Sequence, residues 1–343
     1  MGLLINIKLQ NFRNYSDAKW DFGKVNAIIG RNGTGKTNIL EAMRYLSLLK
    51  SFRARKEEEV VLFNQRMAIL EANIKNNGKN KIIITIEKDK KACSINKKTV
   101  KLSEAVGVLK SVLFCPEDIL IIDGAPSVRR RYLDQLISQK DKKYLKGLIN
   151  YNRILAIRNA LLGRIADGLA REDELDVWDE QIIAPAKYIS QRREEVIEEL
   201  SKISEGYLNE MDGNFGFSME YQRSESSIEN LIKSRRRDIV YQITHIGAQR
   251  DDILIYLNNR ALAQFGSRGQ KRMVLLSLKQ AEIDYLTEEE RPLLLLDDVF
   301  SELDREHQEK INKIITKQQT ILTTTNLPES IKKMCDEVIE LNE

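Results

Sequence analysis

The sequence predicts an α/β protein whose phosphate-binding sheet comes from both ends of the chain, with a mostly helical block inserted between them. Two buried strands, at 24–29 and 292–297, carry this prediction, because short unbroken apolar runs are typical of strands covered on both faces. Between about 127 and 210 the chain instead shows long helical segments with few glycines. The 343 residues are enough for two domains of ordinary size.

The first third of the chain predicts strands and one helix. Leu3 to Leu9 alternates as a half-buried strand does, and a Gly-rich turn leads into a helix predicted from Lys36 to Leu49. Antiparallel strands are predicted at 60–63, 67–74 and 81–86. Hairpin turns are predicted at 76–80 and within 92–100, the first because Asn and Gly tolerate positive φ.

The later elements return from helices to an α/β pattern. Strands are predicted at 213–222, 253–257, 292–297 and 320–324, and helices at 228–243, 270–286 and 304–316. We therefore expect residues 1–120 and 245–343 to form one discontinuous head, with residues 121–244 as an inserted helical arm.

Composition excludes several classes of protein. Hydrophobic residues make up 42% of the chain, which argues against intrinsic disorder. No apolar stretch approaches the roughly 18 residues of a membrane span, and the N-terminus lacks a signal-like apolar region. The three cysteines are far apart, which is typical of a reducing compartment. We expect a cytoplasmic protein with no membrane partner.

Residues 30–37 match the phosphate-binding motif G-x-x-x-x-G-K-[ST] in full, directly after a buried strand and before a helix. The glycines let successive backbone N–H groups face a phosphate, Lys36 reaches the β- and γ-phosphates, and the Thr37 hydroxyl can bind Mg²⁺. No Asn-Lys-x-Asp motif for guanine occurs, so ATP is the expected nucleotide. The predicted nucleotide contacts here are Gly30, Asn32, Gly33, Thr34, Gly35, Lys36, Thr37 and Asn38.

A second motif ends the buried strand at 293–297. Four leucines bury the strand, and Asp297 emerges at its carboxyl end, where it would join Thr37 as a Mg²⁺ ligand. Asp298 follows and is positioned to orient or deprotonate the attacking water. Lys36 and Asp298 are therefore the predicted catalytic residues.

A third motif, Ser267-Arg268-Gly269-Gln270, opens the helix before that strand. The N-terminus of a helix offers free N–H groups to an anion. Since the motif at 30–37 already holds the phosphates, a second such site suggests that two chains enclose one nucleotide. When the segment is considered alone, an ordinary Gly-rich helix start is the default interpretation.

The order of these motifs, followed by Ser301-Glu302-Leu303-Asp304, resembles an ABC-type ATPase head, and the last tetrad looks like its D-loop. The closer resemblance is to the bacterial RecF family. It is carried by residues 9–15 (LQNFRNY), 114–118 (FCPED), 124–126 (GAP), 129–134 (RRRYLD) and 267–270 (SRGQ). Together these segments span residues 9 to about 326 in the family's order.

This resemblance implies an ATP-dependent homodimer that binds DNA and, with RecO and RecR, helps to load RecA at single-strand gaps. Arg13 and Asn14 would lie near the nucleotide. Ser267, Arg268, Gly269 and Gln270 would form the signature that acts in trans, with Ser267 and Gly269 contacting the partner chain's γ-phosphate. The D-loop residues Ser301 and Asp304 would lie at the dimer interface.

Three departures from the usual patterns stand out. Asp298 replaces the Glu of many ABC ATPases, as it does throughout the RecF family, and its shorter side chain predicts slow turnover. Thr323 to Asn326 occupies the place of the expected switch His. The segment 247–252 (GAQRDD) differs at two positions from the family's Gly-Pro-His-Arg-Asp-Asp. Arg250 and Asp251 remain candidates for a role there.

The net charge of +4 conceals strong segregation along the chain. Residues 127–164 carry ten Lys and Arg against two Asp, and residues 75–101 carry nine Lys against two acids. Residues 171–212 carry thirteen acids against five bases. A basic groove that follows a DNA backbone without reading sequence is one interpretation, and solvated helix faces are the other. The predicted DNA contacts are Arg129, Arg130, Arg131, Lys140, Lys142 and Lys143.

Two other functions stay open on the sequence alone. One is a structural DNA clamp in which hydrolysis is incidental, and the other is the ATPase subunit of a transporter. The inserted arm and the basic segments argue against the transporter.

Overall fold

The computed structural model describes residues 3–75, 78–212, 215–301, 312 and 314–341. The chain divides into two compact units, one formed by Met1–Asp118 with Glu282–Glu343 and the other by Ile119–Ala281. The predicted assignment of residues 245–281 to the ATPase head stays a prediction. Of the predicted elements, the turn at 76–80 lies partly outside the described residues and the helix at 304–316 lies mostly outside them.

The first unit contains the parallel sheet that the sequence predicts. Its strands are β3 (Val25–Ile29), β8 (Ser111–Phe114), β12 (Leu293–Asp297), β13 (Thr320–Thr324) and β14 (Glu337–Glu340), in the order β14-β3-β13-β12-β8. All four strand pairs are parallel, and every residue of β8, β12 and β13 is buried. Burial on both faces explains why these strands are short and mostly apolar. The short helix α10 (Glu329–Lys332) precedes β14.

A six-stranded antiparallel sheet completes the first unit, with the order β2-β1-β4-β5-β6-β7. Its strands are β1 (Leu3–Phe12), β2 (Tyr15–Asp21), β4 (Met67–Lys75), β5 (Lys79–Glu87), β6 (Lys91–Ile95) and β7 (Lys98–Val100). Alternate residues of β4 and β5 are buried, as the period-two pattern predicts. The same unit holds helices α1 (Lys36–Leu48) and α2 (Leu102–Ala105).

The predicted strand at 60–63 is wrong. Glu57–Val60 forms a 3-10 turn, and only an isolated bridge joins Val61 to Phe12. Phe63 is 86% exposed and Asn64 has φ of 63°, so this apolar run has no sheet face to bury. Apolar content alone therefore misidentified the segment.

The second unit is mostly helical. Its helices are α3 (Leu120–Asp123), α4 (Pro126–Lys140), α5 (Lys142–Ala166), α6 (Leu175–Asp212), α7 (Ile228–Tyr241), α8 (Leu262–Phe265) and most of α9 (Arg268–Leu286). A three-stranded sheet in the order β11-β10-β9 accompanies them, built from β9 (Phe217–Gln222), β10 (Asp252–Leu257) and β11 (Arg260–Ala261). Across the described residues, no helix is long and apolar enough to cross a bilayer.

Buried ion pairs hold the long helices together. Arg158 of α5, which is 0% exposed, donates to Asp179 of α6 at 2.7 Å and to Asp238 of α7 at 2.9 Å. Arg193 of α6 is 3% exposed and donates to Asp134 of α4. Many charges that the sequence divides into basic and acidic segments therefore neutralise one another inside the unit.

Candidate nucleotide-binding site

The loop 30–35 joins β3 to α1 at the carboxyl edge of the parallel sheet. Gly33 and Gly35 have φ of 90° and 100°, in the region that favours glycine. A Cβ on Gly35 would lie 2.6 Å from the Tyr15 hydroxyl and 2.7 Å from Asn14 Nδ2, whereas one on Gly33 would meet nothing within 4 Å. Gly35 is therefore fixed by packing as well as by backbone conformation, and the space above Gly33 is open.

Lys36 is buried against its own loop. Its Nζ donates to the carbonyl oxygens of Gly30 at 2.6 Å and Arg31 at 2.9 Å. Lys36 is also the first residue of α1, whose opening N–H groups lack partners within the helix. The loop thus concentrates an ammonium group and backbone donors at one place, as an anion site requires.

Three side chains meet at the end of β12. The Thr37 hydroxyl donates to Asp297 Oδ1 at 2.9 Å, and the Thr323 hydroxyl donates to the same oxygen at 2.8 Å. Asp297 is 6% exposed, and burial raises the pKa of its carboxyl group, although both hydroxyl bonds oppose that rise. A buried carboxylate held only by neutral donors lacks a full counter-charge, so a cation beside it would be stabilised.

Asp298 has an unusual backbone conformation for a non-glycine residue. Its φ is 50°, and its N–H donates to both the carbonyl oxygen and the hydroxyl of Thr323, at 3.2 and 3.1 Å. Asp and Asn tolerate this left-handed region better than longer side chains do. The backbone thus supplies a physical reason for Asp rather than Glu at this position.

Arg13 and Asn14 lie at the turn between β1 and β2. Arg13 has φ of 55°, and its guanidinium group forms a two-pronged pair with the buried Glu41 of α1 at 2.6 and 2.8 Å. Asn14 accepts a hydrogen bond from Asn38 Nδ2 at 2.8 Å. Asn14 is therefore beside the first turn of α1, while the guanidinium group of Arg13 anchors that helix through Glu41.

Arg53 is a basic residue of this site that sequence reasoning missed. Its guanidinium group donates to Asn38 Oδ1 at 3.2 Å. Burial raises the pKa of Asp297, and the charge of Arg53 opposes part of that rise. The Ser51 hydroxyl holds this segment in place, because it accepts from the backbone N–H groups of Arg53 and Ala54 and donates to Glu41. No motif marks Arg53, and only the packing of residues 51–54 against α1 brings it here.

The residues present suit MgATP. A hydroxyl and a carboxylate oxygen are the hard donors that Mg²⁺ prefers. No cluster of three or more His, Cys, Asp or Glu side chains arranged to hold a metal occurs within the described part of the chain. An ion held by Thr37, Asp297 and the nucleotide's own phosphates fits this donor set, because Mg²⁺ commonly takes only one or two protein carboxylates.

Residues 267–270 open α9 with a capping box. The Ser267 hydroxyl accepts from the N–H of Gln270 at 3.2 Å, and Gln270 Oε1 accepts from the N–H of Ser267 at 2.9 Å. Ser267, Arg268 and Gly269 are exposed. Ser267 and Gln270 thus stabilise the helix start, which the sequence analysis did not anticipate. The side chain of Ser301 and all of Asp304 lie outside the described residues.

The six basic residues predicted to contact DNA differ in their surroundings. Arg129 is 9% exposed and donates to both carboxylate oxygens of Asp252 and to the carbonyl oxygen of Gly124. Arg130 donates to the carbonyl oxygen of Asp251 at 2.6 Å. Arg131, Lys142 and Lys143 are exposed, and Lys140 is half-buried. The structure places Arg129 against the first residue of β10 and Arg130 against the residue before it, whereas Arg131, Lys142 and Lys143 remain exposed.

Comparisons with known proteins agree with this architecture. The family model described as "RecF/RecN/SMC N terminal domain" matches residues 3–343. The DNA replication and repair protein RecF of Lachnoclostridium phytofermentans is 36% identical, covering 95% of this chain and 93% of its own length. RecF of Streptococcus pneumoniae is 37% identical, covering 96% and 95%. The chain belongs to the RecF family.

Solved structures extend the likeness to the whole fold. The recombination mediator protein RecF-ATPrS in the RecFOR pathway matches with a TM-score of 0.92 and 33% identity, covering 99% of this chain and 96% of that one. The Smc head domain of Pyrococcus furiosus matches with a TM-score of 0.56 at 18% identity, covering 99% and 93%. The predicted ABC-type α/β head with an antiparallel part and a helical insertion is confirmed.

Two of the departures from the usual patterns have structural counterparts. Thr323, in the segment expected to hold a switch His, binds Asp297 directly. In segment 247–252, Gln249 accepts a hydrogen bond from Tyr151, and Arg250 donates to the Thr244 carbonyl oxygen at 3.3 Å. The fully buried Asp251 accepts from the hydroxyls of Ser190 and Tyr221. In this chain the segment therefore forms internal bonds.

Proposed function

We propose that this RecF-family protein is a slow, DNA-stimulated ATP hydrolase of recombinational repair that closes as a homodimer on gapped DNA. The observation that carries the proposal is the contact of Thr37 with Asp297, which joins the phosphate-binding loop to the end of β12. That contact brings together residues 260 positions apart in the sequence, and it puts a hydroxyl and a carboxylate beside a loop built for phosphate.

Each residue of the site has a proposed task. Lys36 would leave its two carbonyl acceptors to offset the charge of the β- and γ-phosphates, and Thr37 with Asp297 would hold Mg²⁺. The ion would supply charge neutralisation at the phosphates. Asp298 would orient the attacking water, and Arg53 would add positive charge beside Asn38.

The dimer proposal rests on the exposed start of α9. Ser267, through its capping bond, keeps the helix end ordered, and the exposed Arg268 and Gly269 would present N–H groups to the γ-phosphate of a second chain. Ser301 and Asp304 would face the same interface. Two chains with two shared nucleotides would make closure depend on ATP.

A mixing experiment tests this arrangement. Lys36→Ala removes the cis lysine and Ser267→Arg blocks the trans contact, so each variant alone should lack ATPase activity. An equimolar mixture should recover about a quarter of the wild-type rate, because half of the randomly paired dimers are mixed and each has one intact site. Light scattering with ATP follows dimer mass. A mixture that stays inactive while both variants still dimerise would contradict sharing of the site.

The DNA proposal rests on the exposed Arg131, Lys142 and Lys143 and the half-buried Lys140, whereas Arg129 is 9% exposed and Arg130 donates to the Asp251 carbonyl oxygen. Affinity should fall steeply with salt, because phosphate contacts release counterions. Reversing Arg131, Lys142 and Lys143 to Glu should weaken binding to gapped, duplex and single-stranded DNA alike and flatten the salt slope by about 3. Reversal of the exposed Lys332 and Lys333 is the control. Unchanged affinity and slope would remove these residues from the DNA surface.

The cellular role follows the family and is also a proposal. The solved relative is a recombination mediator in the RecFOR pathway, so we propose that this chain works with RecO and RecR in the cytoplasm to help load RecA. Pull-down of purified RecR with wild-type chain and with Lys36→Ala, each with and without ATP, tests whether the partner recognises the ATP-bound state. ATP-independent capture of RecR would separate that contact from the nucleotide.

A further inference from the structure

Helix α7 and the residues just after it expose an unusual amount of apolar surface. Among the described residues, fourteen large hydrophobic side chains are exposed, and five of them lie between 228 and 243. They are Ile228 at 39%, Ile232 at 49%, Val240 at 69%, Tyr241 at 63% and Ile243 at 41% exposed. Scattered exposed apolar residues need no explanation, but a cluster of this kind marks an interaction surface.

The opposite side of α7 makes buried contacts and ion pairs within its own unit. Leu231 and Asp238 are 0% exposed, and Asp238 accepts from Arg158 at 2.9 Å. Arg235 pairs with Asp176 and Asp179 at 2.5 and 2.6 Å. The helix is therefore anchored by buried contacts, and its outward side is held in place rather than left loose by poor packing.

The outward side carries cations between its apolar residues. With four residues per step, one row along the helix runs Ile228, Ile232, Arg236 and Val240, and the neighbouring row runs Lys233, Arg237 and Tyr241. Lys233 is paired with Glu229 at 2.7 Å. Arg236 and Arg237 are exposed and have no ion pair within the described residues. We call the residues of these two rows, together with Ile243, the α7 face: Ile228, Ile232, Lys233, Arg236, Arg237, Val240, Tyr241 and Ile243.

We propose that the α7 face docks an acidic segment of a partner protein in which carboxylates alternate with apolar side chains. The guanidinium groups of Arg236 and Arg237 are adjacent and have no carboxylate partner among the described residues. They favour an acidic partner, because a guanidinium group can donate two parallel hydrogen bonds to one carboxylate. The aliphatic side chains one turn on each side would pack on the partner's apolar residues. A central Arg flanked by apolar contacts is a common composition of binding hot spots.

This composition favours protein over the other polyanions. DNA surfaces are more polar and more positively charged than protein interfaces, and a phosphate backbone gains nothing from Ile232 or Val240. A helix that lies in a membrane surface keeps its charges off the apolar side, whereas Arg236 interrupts the apolar row here. The proposal does not depend on ATP or on the DNA contacts of α4 and α5.

Binding of defined peptides to the full chain tests the proposal. The probe is a fluorescein-labelled twelve-residue peptide that alternates Asp or Glu with Leu or Phe, followed by anisotropy. One comparison peptide replaces the acids with Asn and Gln, and a second replaces the apolar residues with Ser. We expect the acidic apolar probe peptide to bind with a Kd of about 10 to 100 µM. Both comparison peptides should bind at least about tenfold more weakly.

Variants locate the site. Arg236→Glu with Arg237→Glu, and separately Ile232→Ser with Val240→Ser, should each weaken the acidic peptide at least about tenfold, since all four side chains are exposed. Lys332→Glu with Lys333→Glu makes the same charge change on exposed residues of the other unit and should leave binding unchanged. Circular dichroism checks that each variant keeps its helix content.

Several outcomes would overturn the proposal. No measurable binding of the acidic apolar peptide is one, and equal binding of the amide peptide is another. Equal losses in the Lys332 and Lys333 control would show that net charge alone drives binding. If a twenty-nucleotide single strand or a vesicle containing phosphatidylglycerol loses affinity in the α7 variants while the peptide does not, the surface serves nucleic acid or lipid instead.

Discussion

Replacing Thr323 with valine removes one hydroxyl and keeps the shape of a β-branched side chain. That hydroxyl is fully inside the protein, where Thr323 is 1% exposed. It donates to Asp297 Oδ1 at 2.8 Å and accepts from the N–H of Asp298 at 3.1 Å. The substitution therefore tests whether Thr323 positions the carboxylate proposed to hold Mg²⁺.

The expected cost comes mainly from the bond to Asp297. A hydrogen bond to a charged group contributes about 1.5 to 3 kcal/mol, and leaving the buried carboxylate with fewer donors carries a cost of the same order. The bond to Asp298 adds little, because its N–H also donates to the Thr323 carbonyl oxygen. We expect Thr323→Val to lower the free energy of unfolding by about 2 to 3 kcal/mol.

Neighbouring residues provide matched controls. Thr324 is also buried, and among the described residues its hydroxyl bonds the backbone of Asn326 alone, at 2.9 and 3.2 Å. Thr324→Val should therefore cost about 1 to 2 kcal/mol, since both of these bonds are neutral and each contributes about 1 kcal/mol. Thr323→Ser keeps the hydroxyl and should bind MgATP as wild type does, while loss of its buried methyl group lowers stability by about 0.8 kcal/mol.

Urea unfolding and Mg²⁺-dependent binding of a fluorescent ATP analogue measure the two effects. Loss of a hydrogen bond that orients a metal ligand typically weakens binding about 10- to 100-fold. Thr323→Val should show this loss and Thr324→Val should not. If the two valine variants unfold at the same urea concentration and bind MgATP equally, Thr323 has no positioning role.

Three further substitutions test other parts of the structure. Arg158→Met removes a buried cation from Asp238 and leaves Asp179 with Arg235 alone, so it should destabilise the chain by about 3 to 5 kcal/mol in urea unfolding. Arg164→Met, at an exposed position of the same helix, should change stability by less than about 0.5 kcal/mol. Equal effects would mean that the buried pairs are dispensable. Gly35→Ala should abolish ATP binding in a titration, because its φ is 100° and its Cβ would lie 2.6 Å from the Tyr15 hydroxyl. Gly33→Ala should still bind ATP, because its Cβ would meet no atom within 4 Å and the φ of 90° is its one source of strain. Burial raises the pKa of Tyr15 from 10.0 to about 12. The neutral phenol therefore stabilises the fold below pH 10, and that stability is lost as the pH rises through 12. The Tm of Tyr15→Phe should fall less between pH 9.5 and 12 than the Tm of wild type, and parallel curves would argue against the shift.

The sequence located the strand, loop and helix around residues 25–48 because their signals are local. Glycines at 33 and 35 mark backbone that only glycine adopts easily, and unbroken apolar runs mark strands covered on both faces. The same reasoning failed at 60–63, where an apolar run has no sheet partner. The sequence analysis also missed β2. After Tyr15, Ala18 and Trp20 are the only apolar residues of that strand, so its pattern reads as polar.

Charge was the least predictable property from sequence. Counting residues between 127 and 164 suggests a basic surface, yet Arg158 is fully buried and Arg129 pairs with Asp252, 123 positions away. A count along the chain cannot distinguish a solvated cation from one that lies against a carboxylate. The distinction depends on packing between distant segments, which decides where the charge is exposed.

The sequence by itself determined the family, the phosphate-binding loop and the β12 carboxylates, since each depends on residues adjacent in the chain. Only the tertiary structure decided that Thr323 joins Thr37 at Asp297, that Arg53 lies beside Asn38, and that Arg236 and Arg237 are exposed among apolar residues. These contacts join residues up to 260 positions apart in the sequence. Chain folding, rather than local pattern, sets such distances, because side chains far apart in sequence meet only when sheets and helices pack.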